Sequence, residues 1–142
     1  MALDDDGNAG SLLRHGRRVA ARLGVPLRAA YVWSDCRPPE CAHHRRCHQD
    51  LDEACRLLAA LIDDHLSVDE ARRVERDVVH ATDPVKALIT LSAAASILVV
   101  GSSSDSSQGS SDLGGTTGRL LGRTGCPMMV VPRVARSRSR FW

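Results

Sequence analysis

Short apolar runs alternate with longer amphipathic segments along this chain, and this alternation restricts its possible folds more than any other feature of the sequence. Most of the apolar runs have the length and the bounding Gly, Pro or Ser residues of a β-strand. The segments between them carry apolar residues three or four positions apart, which is the helical period. The sequence therefore predicts strands at residues 27–33, 74–79, 97–100 and 128–131, and helices at 8–23, 51–66, 84–95 and 117–123.

Strands that alternate with helices form parallel sheets through right-handed crossovers, with helices on both faces. The run at 97–100 (ILVV) is apolar at every position, as expected for a strand that is covered on both faces. A further strand should precede the first helix, but only Met1, Ala2 and Leu3 stand before an aspartate run. We therefore predict an α/β fold with an open, mainly parallel sheet of five strands, of which the first is short or truncated.

The composition fits one globular domain. The chain has 142 residues, of which 43% are hydrophobic and 25% are charged, and this is enough to bury a core. A net charge of +2 indicates no particular partner. No apolar run approaches the roughly 18 residues of a membrane span. The start, with aspartates at 4–6, lacks the apolar centre of a secretory signal. We expect a cytoplasmic protein with no membrane partner.

A Ser- and Gly-rich stretch at residues 101–118 follows the apolar run at 97–100 and leads into a helix. Open α/β sheets bind ligands at the carboxyl ends of their strands, so this stretch is positioned to hold a phosphate group. Its small residues would let backbone N–H groups approach the phosphate, and the helix end adds partial positive charge. However, the sequence has neither a Walker A lysine nor a G-x-G-x-x-G fingerprint after its first strand. Composition alone favours an ordinary surface loop.

The spacing of several short motifs resembles the universal stress protein family. In that family a strand ends in G-x2-G, nine residues follow, G-[S/T] opens the last helix, and a Cys-Pro precedes the closing strand. Gly101, Gly114 and Cys126-Pro127 match these positions in register. Asp83-Pro84 matches the Asp-Pro that commonly begins the third helix of the family. Near the start, Asp6-Gly7-Asn8 stands where the family has Asp-Gly-Ser.

This resemblance implies an adenine-nucleotide site at the carboxyl edge of the strands, with ATP or AMP as the candidate ligand. By that carry-over, Asp6 would lie near adenine and ribose, and Val32 would lie beside the base. The positions expected near the phosphates are Gly101, Ser104, Gly114, Gly115, Thr116 and Thr117.

The same stretch departs from the family pattern. Ser104 replaces the second glycine of G-x2-G, and Gly115 replaces the hydroxyl residue of G-[S/T]. Asp105 and Asp112 lie within 101–118, which contains no Lys or Arg. A carboxylate close to a triphosphate adds repulsion, on the order of 1 kcal/mol per pair near a surface. We therefore predict a non-catalytic stress-response regulatory protein whose nucleotide site is degraded.

The resemblance also implies strand order 3-2-1-4-5 and a homodimer formed through the last strand, at residues 128–131. An exposed apolar edge strand favours aggregation, which gives the dimer a physical reason as well.

Two alternative functions stay open. Residues 11–32 are also similar to the stress-protein-like domain of osmosensing histidine kinases, which indicates a stand-alone regulatory module of a sensor kinase or transporter system, with a regulatory protein partner. The second alternative is a slow ATP hydrolase, which would need an intact phosphate loop and a metal-binding carboxylate.

Four of the five cysteines and three of the six histidines cluster between residues 36 and 55. Zinc takes four Cys or His ligands, and the candidates here are Cys36, Cys41, His44 and Cys47. No C-x2-C knuckle is present, so we favour an exposed, reduced loop without zinc. Cys55 follows the helical spacing of its apolar neighbours, and we predict a small buried side chain there.

Residues 133–142 (RVARSRSRFW) carry four arginines and no acidic residue. Four charges without a folded scaffold are typical of a disordered end, and we expect no nucleic-acid partner. The predicted domain then spans residues 1–132, with a Cys/His-rich loop insertion at 35–49.

Overall fold

The computed structural model describes residues 1–4, 7–34, 48–102 and 115–132. The helices in these ranges are α1 (Ala9–Leu23), α2 (Leu51–Asp63), α3 (Val68–Arg72), α4 (Pro84–Ser92) and α5 (Gly115–Leu120). The strands are β1 (Arg28–Trp33), β2 (Glu75–His80), β3 (Leu98–Gly101) and β4 (Met128–Val131). The predicted alternation of helices and strands is confirmed. Across these ranges, no helix combines the length and the apolar character that crossing a membrane requires.

Local chemistry sets the helix ends that the sequence predicted well. Gly24 stops α1 in the left-handed conformation, with φ 64°. Asp83 caps α4, because its Oδ1 accepts a hydrogen bond from the backbone N–H of Val85 over 3.0 Å. Pro84 then occupies the first helical turn, where its missing N–H costs nothing.

The region after the loop insertion differs from the prediction in two respects. Helix α2 ends at Asp63 instead of continuing to residue 66, and the short helix α3, which was not predicted, follows it. Cys55 is exposed, so its predicted burial is wrong. Helix α2 turns the stripe that includes Ala54 and Leu58 toward the core, and Cys55 lies one residue outside that stripe. Helical spacing alone did not fix which edge of the apolar face is buried.

The strands form two parallel pairs. β1 pairs with β2 along six residues, with Trp33 opposite His80 at the carboxyl end. β3 pairs with β4 along four residues, with Gly101 opposite Val131 at the same end. The structure therefore has two two-stranded parallel sheets in its described part, where the sequence predicted a single sheet of five strands.

The N-terminal segment, residues 1–3, makes hydrogen bonds to both pairs. The backbone N–H of Leu3 donates to the carbonyl of Ala30 in β1 over 2.9 Å. The N–H of Ala2 donates to the carbonyl of Val99 in β3, also over 2.9 Å. The segment is too short for a strand and forms one isolated parallel bridge, between Ala2 and Ala30. This agrees with the prediction that the first strand is short.

Helices cover both faces of the strands, as predicted. β3 shows this most directly, because all of Leu98, Val99 and Val100 are buried. Val99 packs in a core with residues of α1, α2 and α3, whereas Leu98 and Val100 pack in a second core with α4 and α5. The run that is apolar at every position is therefore the strand that serves two cores.

Candidate nucleotide site at the carboxyl ends of the strands

Gly101 ends β3 at a point where the side chain of Asn8 lies against the backbone. A Cβ atom at this position would lie 2.9 Å from Asn8 Nδ2 and 3.4 Å from Leu12 Cδ1. Asn8 is buried and directly precedes α1. The end of β3 and the start of α1 therefore meet at the edge where open α/β folds bind ligands, and the close approach favours glycine.

Thr117 ties the first turns of α5 to the end of β3. Its Oγ1 donates a hydrogen bond to the carbonyl oxygen of Gly101 over 2.8 Å. The residue is 4% exposed, so this hydroxyl is engaged within the fold. Thr116 beside it is half-buried. The structure thus brings Gly101 and Thr117 together through a direct hydrogen bond, and their predicted role near the phosphates stays a prediction.

Val32 lies near the carboxyl end of β1 and is 5% exposed. Its side chain packs in the core that α4 and α5 cover, together with Val85 and Leu120. A side chain buried to this extent presents little surface to a base, so its backbone is the part that could contact one.

Sequence reasoning missed an ion pair beside this edge. Arg119 Nη2 lies 3.7 Å from Oδ2 of Asp83, which joins α5 to the cap of α4. The arginine side chain is 60% exposed, so the pair contributes little stability. Arg119 is the first cation after the stretch 101–118, and its guanidinium is already paired with Asp83.

An aromatic and histidine cluster at the ends of β1 and β2 was also missed. Trp33 and His80, opposite each other in register, have ring centroids 4.5 Å apart. Tyr31 Oη lies 2.7 Å from Nε2 of His48, within hydrogen-bond distance. The backbone N–H of His48 also donates to the carbonyl of Ser34 over 2.9 Å, which joins the two ends of the Cys/His-rich insertion. The alternation of Tyr31 and Trp33 along one strand was the signal that could have indicated a shared face.

Several sequence-predicted residues lie outside the described part of the chain. For the nucleotide site these are Asp6, Ser104 and Gly114; for the metal site they are Cys36, Cys41, His44 and Cys47. The backbone of Gly115 begins α5. In the described ranges no three His, Cys, Asp or Glu residues are grouped so that they could hold a metal ion. The roles assigned to all these residues stay predictions.

A separate pocket of about 310 Å³ lies at the amino ends of the strands, away from Gly101. Residues of α1, α4 and the beginnings of β1 and β2 line it, together with Met1. The α-amine of Met1 donates to the carbonyl of Arg28 over 2.9 Å. Burial lowers the pKa of this amine to about 6, because the charged form loses its hydration. Because it lies at the amino ends of the strands, this pocket is distinct from the candidate nucleotide site at their carboxyl ends.

Parallel strand pairs, helices on both faces and a glycine at the close meeting of β3 and α1 define an open α/β domain, a fold that generally binds ligands at the carboxyl ends of its strands. The family model described as the universal stress protein family matches residues 1–132. The chain belongs to that family. The comparison with curated proteins gave no match.

Solved structures of universal stress proteins share this fold. One is a universal stress protein in complex with cAMP, with 20% identity, a TM-score of 0.61 and 93% of each chain covered. The universal stress protein UspA from Lactobacillus plantarum has 19% identity and a TM-score of 0.60, with 92% of this chain and 93% of that chain covered. A family protein from Burkholderia pseudomallei has 22% identity and a TM-score of 0.53, over 93% of this chain and 92% of that chain. Identities this low establish similarity of fold alone.

Proposed function

We propose that this protein is a non-catalytic regulatory protein of the cytoplasmic stress response, with a degraded adenine-nucleotide site. Membership of the universal stress protein family supports the first part. The hydrogen bond from Thr117 to Gly101 carries the second part, because a hydroxyl that is expected near the phosphates is instead buried in a contact within the fold.

Changes in the adjoining stretch act in the same direction. Gly115 replaces the hydroxyl residue that opens the last helix in the family, and Ser104 replaces a glycine whose backbone would approach the phosphates. Asp105 and Asp112 add negative charge to the same stretch. Each change weakens a triphosphate site by removing a donor, narrowing the approach or adding repulsion.

The ligand that we propose for the remaining site is an adenine nucleotide with a single phosphate. One solved protein of similar fold was crystallised with cAMP. A single phosphate meets less repulsion from Asp105 and Asp112 than a triphosphate does. We therefore expect AMP or cAMP to bind this chain more tightly than ATP.

Calorimetric titration of nucleotide-free protein with ATP, AMP and cAMP tests this order. The double variant Asp105→Asn/Asp112→Asn should bind ATP several-fold more tightly and AMP only slightly more tightly. Asp64→Asn/Asp69→Asn makes the same change of charge at two exposed positions of the α2–α3 region and should leave both affinities unchanged. Micromolar ATP binding by the unaltered protein would contradict a degraded site.

We infer that the protein is not an enzyme. The resemblance to the family implies nucleotide-binding positions in this chain but no catalytic nucleophile or base. Phosphate release from ATP, measured with and without magnesium, tests this inference. Steady turnover by the unaltered protein that requires magnesium would contradict it and favour the slow-hydrolase alternative.

We further propose a continuous sheet in the order β2, β1, residues 1–3, β3, β4, which is 3-2-1-4-5 when the N-terminal segment counts as the first strand. The bonds from Ala2 to Val99 and from Leu3 to Ala30 support this order. β4 then forms an edge, and we propose that a homodimer covers it. Light scattering at tens of micromolar protein should give twice the 15.3 kDa mass of the chain.

A further inference from the structure

Helix α1 and the strand after it carry an unbalanced positive charge. Residues 7–34 include five arginines and no acidic residue. Two of the five are neutralised within the fold: Arg17 lies 2.8 Å from a carboxylate of α3, and Arg28 lies 3.2 Å from one of β2. Arg14, Arg18 and Arg22 are exposed, and none of the three makes an ion pair or hydrogen bond within the described ranges.

The three unneutralised arginines form a row along α1, which we call the arginine row. They are four residues apart, so successive members are separated by a rise of about 6 Å along the helix axis. The row lies opposite the buried face of α1, which includes Leu12 and Leu13. Like charges four residues apart destabilise a helix, so the stability of α1 does not account for the row.

The helices beside α1 limit the kind of anion that could bind the row. Residues 50–72, which include α2 and α3, carry seven acidic residues and two arginines. Helix α2 packs directly against α1. A broad polyanion, such as a nucleic acid or an anionic membrane, would meet these carboxylates as well as the row. A narrow acidic element that lies along α1 alone would contact the arginines without approaching these carboxylates.

We propose that the arginine row docks an acidic helical segment of a partner protein. A helix with carboxylates at positions i, i+4 and i+8 presents them at the same rise of about 6 Å as the arginines. Each guanidinium can bind a carboxylate through two parallel hydrogen bonds, which favours arginine over lysine at such a contact. The proposal does not depend on nucleotide binding.

The test uses two synthetic peptides of equal composition and helical background, measured by fluorescence anisotropy at low salt without nucleotide. One carries Glu at i, i+4 and i+8, and the other carries the same residues distributed around the helix. The first peptide should bind the protein more tightly than the second, and added salt should weaken its binding. The triple variant Arg14→Gln/Arg18→Gln/Arg22→Gln should lose about tenfold in affinity, as the removal of three exposed ion pairs implies.

Lys86→Gln/Arg72→Gln/Arg123→Gln is the matched control, since it removes the same charge from exposed positions outside α1 and should keep the affinity. Arg18→Glu supplies a second readout. The new carboxylate would lie four residues from both Arg14 and Arg22, so Tm should be unchanged or higher while peptide binding falls. Equal binding of the two peptides overturns the proposal. Tighter binding of an oligonucleotide than of the first peptide also overturns it. Salt-sensitive self-association of the protein that the triple variant abolishes would do the same.

Discussion

Gly101 and Thr117 lie at the edge where open α/β folds bind ligands, but their polar atoms are bonded to each other. In the family pattern both positions lie near the phosphates. Here the carbonyl of Gly101 accepts the Thr117 hydroxyl, and Asn8 fills the space where a side chain at residue 101 would lie. The motif spacing survives while the polar atoms bind each other. Sequence reasoning could place these residues at one edge, because glycine spacing is a local signal, but the partner of a hydroxyl depends on packing.

Replacement of Gly101 by alanine should destabilise the protein. The added Cβ would lie 2.9 Å from Asn8 Nδ2, so the buried Asn8 side chain has to move. Overpacking of this kind costs about 1–3 kcal/mol. Urea unfolding followed by circular dichroism measures it. Gly118→Ala is the control, since a Cβ there meets nothing within 4 Å and the residue lies in α5. That variant should be as stable as the parent or more so, and equal losses in both would contradict the steric argument.

Thr117→Val should also lower stability, by about 1 kcal/mol for the lost hydrogen bond and more if the Gly101 carbonyl stays buried. Valine keeps the shape of the side chain, so the change isolates the hydroxyl. Thr117→Ser keeps the donor and should recover most of the loss attributable to that bond. If valine proves as stable as threonine, the bond does not link α5 to β3 in solution.

At the scale of elements, the strands were easier to predict than the helix ends. β3 and β4 are short runs of Leu, Val and Met bounded by Gly or Pro, and such runs have few alternatives. The apolar spacing of the second helix continues to Leu66, but the chain turns after Asp63 and places Leu66 in the core without helix. Ser67 and Glu70 form the S-x-x-E signature that could have located the start of α3.

The capping box of α3 leads to a prediction about Glu70. The backbone N–H of Ser67 donates to Glu70 Oε2 over 3.0 Å, and this bond lowers the pKa of the carboxyl group below its usual value. Stabilisation from Glu70 is therefore complete above the unfolded pKa near 4.5 and is lost as the pH falls through the lower folded value. Ser67→Ala keeps this backbone N–H but removes the hydroxyl, which accepts a hydrogen bond from the N–H of Glu70 and also lowers the Glu70 pKa. The variant should therefore raise that pKa partway and cost about 1 kcal/mol of stability through the lost helix cap.

An NMR titration of the Glu70 side chain measures that pKa directly. Ser67→Thr keeps a capping hydroxyl and should leave the pKa low, which makes it the matched control. A Glu70 pKa that is equal in the Ala and Thr variants would show that the Ser67 hydroxyl does not hold the box together.

At the scale of the whole molecule, periodicity predicted the order of elements but not their lateral contacts. The cluster of Trp33 with His80 depends on the register between β1 and β2, which nothing in either strand specifies alone. The bonds from Ala2 to β3 likewise join residues far apart in sequence. Contacts of this kind are set when layers pack, so one sequence does not reveal them.

The proposed dimer can be tested through the hydrogen-bonding directions of β4. The backbone N–H groups of Leu98 and Ser102 donate to the carbonyls of Pro127 and Val131, respectively. These two carbonyls therefore point toward β3. In a parallel pair the N–H and C=O of one residue point to the same side and alternate along the strand. The backbone groups of Met129 therefore face β3, whereas those of Met128 and Val130 face the outer edge.

Proline at residue 130 should separate dimerisation from folding. Val130→Pro removes an N–H on the outer edge, where edge strands tolerate proline, and it blocks pairing with a second copy. We expect a monomer by light scattering with an unchanged far-ultraviolet spectrum. Met129→Pro removes an N–H that bonds to β3 and should unfold the protein at a much lower temperature. A Val130→Pro variant that stays dimeric would exclude the outer edge of β4 as the interface.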